Sequence, residues 1–118
     1  MASAPDWMYA RRSCVTGKRA SDHLRDVGVT ARETVDATKV RYGPAEALGL
    51  LTKVETLIVA KGTKHEVFDL KAARPDDETL LARMIGPTGN LRAPTIILGP
   101  VMVVGYTGDA YHAAVGTP

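Results

Sequence analysis

An α/β domain built on a mixed sheet is the fold that this sequence predicts, and three observations predict it. Residues 6–37 read as strand, amphipathic helix and strand, a β-α-β unit that favours a right-handed crossover between parallel strands. Residues 94–115 read as two strands and a helix, with Gly99-Pro100 between the strands. Between these ends lies a middle segment dominated by helical patterns. The chain of 118 residues fits one domain, 1–118, and is long enough to bury a continuous core. No internal repeat, low-complexity tract or linker divides it.

Each element has its own local reason. Trp7-Met8-Tyr9-Ala10 is a short apolar run that ends where the chain turns basic at Arg11 and Arg12, so residues 6–11 read as the first strand. Ser13 is placed to cap the next helix, with Thr16 in its first turn. Ala20, Leu24 and Val27 then fall at i, i+4 and i+7 on one face, and Gly28 sits where a left-handed terminal residue is wanted. Arg32–Ala37 reads as a short strand with Val35 and Ala37 inward.

Gly43-Pro44 opens a second helix with proline at the tolerated first position, and Ala47, Leu48 and Leu51 supply its apolar face. Thr56–Leu70 is open between two readings. Leu57–Ala60 and Glu66–Leu70 could be the arms of a hairpin around Lys61–His65, or a helix running into a loop. Asp76-Asp77-Glu78 is an acidic helix start matched to the macrodipole, with Leu80, Leu81, Met84 and Ile85 buried and Gly86-Pro87 as the stop. Pro94–Leu98 and Val101–Val104 read as an antiparallel hairpin. The last helix is expected over Gly108–Val115, capped by Thr107 and packing through Ala110, Tyr111 and Ala114.

Composition excludes several classes. The net charge is +2 with scattered positive residues, so no nucleic-acid footprint stands out. Nothing approaches the apolar length of a membrane span, and Met1-Ala-Ser-Ala-Pro-Asp6 lacks a basic start and an apolar stretch, so no secretory signal is expected. A single cysteine forms no internal disulfide, and a cytoplasmic location is the simplest expectation. His23, His65 and His112 lie far apart without ligand spacing, so no metal is expected. By period His23 falls on the exposed face of the first helix. Asp109 and His112 read as a surface pair.

Chemistry concentrates at Cys14. It directly precedes a helix, whose N-terminus carries partial positive charge and unpaired N–H groups that favour thiolate over thiol. Arg11, Arg12, Lys18 and Arg19 add positive charge nearby in sequence. The bland alternative is a small buried hydrophobe. Arg19 gives Cys-x4-Arg, one residue short of the phosphatase spacing, and Gly86-Pro-Thr-Gly-Asn90 lacks the Gly-Lys-Ser/Thr of a phosphate loop. Asp69, Asp76, Asp77 and Glu78 form no catalytic pair.

The element order, with a cysteine after the first strand and a proline opening the third, is that of the thioredoxin-like fold. In four places the chain resembles the arsenate reductase-like branch of that superfamily, which includes uncharacterised and selenocysteine-containing relatives. Cys14-Val-Thr-Gly-Lys18 looks like the family's Cys-x-Thr-x-basic loop, and Val59-Ala-Lys-Gly62 sits where the family has Arg-x-Lys-Gly. The approach Gly86-Pro-Thr-Gly-Asn-Leu-Arg-Ala-Pro94 and Gly105-Tyr106 before the last helix complete the likeness, which covers about residues 7–115. It implies a cis Pro94 set against Cys14.

The resemblance also fails in specific ways. Close relatives carry a second cysteine at the position of Gly17, so the intramolecular dithiol route is closed here. The family's three oxyanion-holding arginines fall at Val59, Ala93 and Tyr106, and Arg92 is one residue early, which on an extended segment turns a side chain to the other face. Lys61 is kept, but lysine is a point charge without the planar fork of arginine. Arsenate reduction is therefore expected to be absent or very poor.

The implied function is a monothiol oxidoreductase or thiol-binding protein, with no bound cofactor. Glutathione, a glutaredoxin- or thioredoxin-type thiol, or another protein would be its partner. Cys14 would be the nucleophile, stabilised by Ser13, Thr16, Lys18, Arg11, Arg12 and the amides of residues 15–17. Lys61, Arg92, Ala93, Pro94, Thr95 and Tyr106 would shape the thiol-binding site, with Tyr106 either filling the former oxyanion pocket, the favoured role, or donating its hydroxyl to a bound thiol compound. The rival is a non-catalytic adaptor that keeps the fold.

Overall fold

The computed structural model describes residues 3–11 and 14–116. Six strands form one mixed sheet in the order β2-β1-β5-β6-β3-β4. Strand β1 (Trp7–Ala10) runs parallel to β2 (Thr34–Asp36) and antiparallel to β5 (Thr95–Leu98). Strand β6 (Val101–Val104) pairs antiparallel with β5 and parallel with β3 (Thr56–Lys61), and β4 (Lys64–Asp69) closes the far edge against β3.

The strands alternate between two cores, as a period of two requires. Met8, Ile58, Ile96 and Val103 pack with Ala20 and Leu24 of α1 (Val15–Asp26) and with Ala110, Tyr111 and Val115 of α4 (Gly108–Val115). Tyr9, Leu57, Val59, Met102 and Val104 face the other way. They pack with Ala47 of α2 (Pro44–Leu50), Leu51 of the 3₁₀ turn Leu51–Lys53, and Leu80 and Met84 of α3 (Asp77–Met84). Two helices therefore cover each face.

Local signals set most boundaries. Gly28 follows α1 with φ of 80°, a conformation that costs glycine nothing. Glu46 accepts a hydrogen bond from the Gly43 N–H at 2.8 Å, Asp76 caps α3 by accepting from Thr79 N at 2.9 Å, and Thr107 caps α4 by accepting from Ala110 N at 3.0 Å. The middle segment resolves its open alternative as a hairpin. The arms Thr56–Lys61 and Lys64–Asp69 meet across Gly62-Thr63, a tighter turn than the sequence suggests. The deciding partner is β6, forty residues downstream of β3, which a local window does not contain.

His23 departs from expectation. It is only 7% exposed, because α4 and Tyr106 pack over it. The apolar stripe of α1 is wider than the i, i+4, i+7 spacing of Ala20, Leu24 and Val27 implies, and i+3 falls within it.

Candidate functional site

Three segments converge beyond the C-terminal end of the parallel pair β1 and β2. They are the β1–α1 turn, the loop after β2, and the loop between α3 and β5. Open-ended parallel strands leave a crevice at that end, where α/β folds place their ligands. Here the crevice is a cavity of about 340 Å³. Arg11 and Cys14 come from the first segment, Ala37, Thr38 and Arg41 from the second, and Gly86–Ala93 supplies the remaining wall. Tyr9 forms part of the floor, with its hydroxyl donating to Val40 O at 2.8 Å.

Cys14 is the N-cap residue of α1, with extended backbone (φ −88°, ψ 128°) and no side-chain capping bond. Its carbonyl accepts the first helical hydrogen bond from Lys18 N at 2.9 Å. The N–H groups of residues 15–17 precede that bond and belong to the set that a helix leaves without intrahelical acceptors. The thiol is free and partly exposed, not sunk in either core. Ser13 and Arg12, named above as cap and charge, lie outside the described residues.

The expected binding residues divide. Arg92 and Ala93 line the cavity with Cys14, and the Ala93–Pro94 bond is cis, the isomer that the resemblance implies. Pro94 itself is buried behind Ala93. Thr95 is fully buried and donates its hydroxyl to Arg92 O at 2.7 Å, so it fixes the turn and presents no free group. The Arg92 guanidinium donates to Ala60 O at 2.8 Å and to Arg83 O at 3.2 Å, and burial lowers its pKa from the ordinary value. Gly105 makes room for it: a Cβ there would lie 2.9 Å from Nη2. Arg92 thus reaches the cavity wall with its head group engaged by main-chain carbonyls.

No family profile and no characterised protein matches the chain.

Four expected contributors lie elsewhere. Tyr106 does not line the cavity. Its hydroxyl hydrogen-bonds His23 Nδ1 at 3.2 Å and its ring meets Tyr111 edge-on at 4.7 Å, on the side of the sheet that carries α1 and α4. The reason is the positive φ of Gly105, 80°, which redirects the chain before Tyr106. Burial pushes the Tyr106 phenol above its ordinary pKa, with Arg19 opposing and Asp26 and Asp22 adding to the rise. Lys61 is exposed at the tip of the β3–β4 hairpin, outside the cavity lining. Thr16 and Lys18 are exposed on α1 and do not line it either.

Besides Tyr9, Ala37 and the stretch from Gly86 to Leu91, sequence reasoning misses the polar lining residues Arg41 and Thr38. They sit in an irregular loop, and only the adjacency of β1 and β2 brings that loop to Cys14. Among the described residues, no group of three or more His, Cys, Asp or Glu side chains is gathered as a metal site. No helix there is long and apolar enough to cross a membrane.

Proposed function

We propose that the chain is a cytoplasmic monothiol oxidoreductase or thiol-binding protein of the arsenate reductase-like type, on a thioredoxin-like fold, with Cys14 as nucleophile. The observation that carries this reading is the position of Cys14. A partly exposed cysteine at the N-cap of α1 lines a cavity whose lining also includes Ala93, the residue before the cis Pro94. The succession β1-α1-β2 followed later by β5-β6-α4 supports the fold assignment.

The chemistry follows from the sulfur. The Cys14 thiolate attacks one sulfur of a disulfide, a new S–S bond forms to Cys14, and the other sulfur leaves as thiolate. Amides at the helix start offer hydrogen-bond donors without intrahelical acceptors. Gly17 offers no second thiol, so an external thiol such as glutathione or a glutaredoxin must attack the mixed disulfide and regenerate Cys14. Arsenate is a poor fit as substrate. Val59 is a buried core residue and Tyr106 faces the other layer, so neither position offers an oxyanion donor to the cavity.

A coupled assay with a glutathione mixed disulfide and an external thiol tests the proposal. Turnover is expected for the natural chain and none for Cys14→Ser. The second reading, a non-catalytic adaptor, is favoured by the absence of arginine at Val59, Ala93 and Tyr106. It predicts that Cys14→Ser keeps full biological activity.

A further inference from the structure

We propose that the Cys14 cleft is selective for a small anionic disulfide, whose carboxylates are received by Arg11 and Arg41. The inference rests on the thiol-exchange reading and adds to it the class of substrate. It stands on the charge inventory of the cavity wall. Among the described residues, three arginines, Arg11, Arg41 and Arg92, line the cleft, and no aspartate or glutamate does.

The three arginines are not equivalent. Arg92 spends its guanidinium on Ala60 O and Arg83 O and so helps to build the wall. Arg11 and Arg41 are exposed, and among the described residues neither is in an ion pair or a side-chain hydrogen bond. Elsewhere the surface pairs its arginines freely, as with Arg25 and Asp22 at 3.2 Å, Arg74 and Asp77 at 3.0 Å, and Arg83 and Glu66 at 2.9 Å. The nearest acid in sequence to the lining, Asp36, accepts from Thr38 N and Oγ1 at 2.9 and 2.6 Å.

Two arginines that share the cavity lining with Cys14, with no carboxylate among the described lining residues, focus positive potential where a substrate enters. Planar two-pronged donors match carboxylates best. The cavity, about 340 Å³, falls at the lower end of the range for small-molecule sites, which favours a compact ligand over a protein segment. In the exchange, the Cys14 sulfur is oxidised to the mixed disulfide, one substrate sulfur is retained in it, and the other leaves reduced as an anionic thiolate.

The test follows Cys14 adduct formation with three disulfides: oxidised glutathione (net anionic), bis(2-hydroxyethyl) disulfide (neutral) and cystamine (cationic). Each is run on the natural chain, Arg11→Gln, Arg41→Gln, the double variant and a Lys53→Gln control. Each arginine substitution is expected to slow the glutathione reaction about two- to fivefold, the range for exposed ion pairs. Measured against the neutral reaction of the same variant, the glutathione reaction should fall, the cationic one should hold or rise, and the glutathione effect should shrink in 1 M salt. Equal slowing with all three disulfides, or none with any, overturns the charge selectivity while leaving thiol exchange intact. Absence of adduct from all three on the natural chain instead removes the thiol-exchange reading and this inference with it.

Discussion

At the residue scale, position 17 and position 111 give the sharpest expectations. A Cβ built on Gly17 lies 3.5 Å from the Cys14 Cβ, at the short end of the disulfide range. The fold therefore holds the geometry of a two-cysteine turn although the second thiol is missing. Gly17→Cys should form an internal disulfide with Cys14 under mild oxidant, read as the loss of both free thiols by titration. Two thiols that stay titratable would show that the turn cannot close. The Arg11 carbonyl, 3.1 Å from that Cβ, has to yield slightly. Tyr111 poses the opposite case. Its side chain is fully buried and its hydroxyl has no hydrogen-bond partner among the described residues, while burial, with Tyr106 adding, pushes the phenol far above its ordinary pKa. Removing an unsatisfied polar atom from a core relieves its desolvation cost. Tyr111→Phe is expected to leave stability unchanged or raise it by up to about 1 kcal/mol in urea unfolding. A loss of more than that would mean that the hydroxyl is satisfied in solution.

At the scale of the element, end signals and periodicity were legible and partnership was not. Asp76 and Thr107 cap the helices where their side-chain chemistry predicts, and Gly28 takes the left-handed conformation after α1. The reading of His23 as solvated failed because it judged one helix alone, and α4 with Tyr106 supplies the cover. Tyr106 failed for a related reason, since a single backbone turn at Gly105 decides which layer it joins. Arg41 carried no signal at all. Its loop gains meaning only after β2 pairs with β1. The cap of α3 yields a pH prediction. Hydrogen bonding from Thr79, through its side chain and then its backbone N–H, holds the Asp76 carboxyl below its ordinary pKa. A carboxyl with a depressed folded-state pKa stabilises the fold above the unfolded value and stops doing so as pH falls through the folded one. Asp76→Ala should therefore be less stable than the natural chain at neutral pH, and the gap should narrow below the ordinary aspartate range. A gap that stays constant on acidification would contradict the cap's ionic contribution.

At the scale of the whole molecule, two helices on each face of a six-stranded sheet leave one end of β1 and β2 open, and the cleft forms there. Alternation along the strands announces the layers, because apolar residues at both parities of β1, β3, β5 and β6 demand cover on both sides. The cleft itself is a product of assembly. Residues 38, 41 and 92 share it with Arg11 and Cys14 without sharing any local pattern with that pair. Cys14 was legible as a candidate within it, since strand, basic residues and helix start meet there in sequence. Its central role is open to one direct measurement, the intact mass after incubation with oxidised glutathione. The natural chain should gain the mass of one glutathionyl group, lose it on reduction, and gain nothing as Cys14→Ser. A natural chain whose mass stays unchanged under those conditions would contradict a reactive thiol at the head of α1.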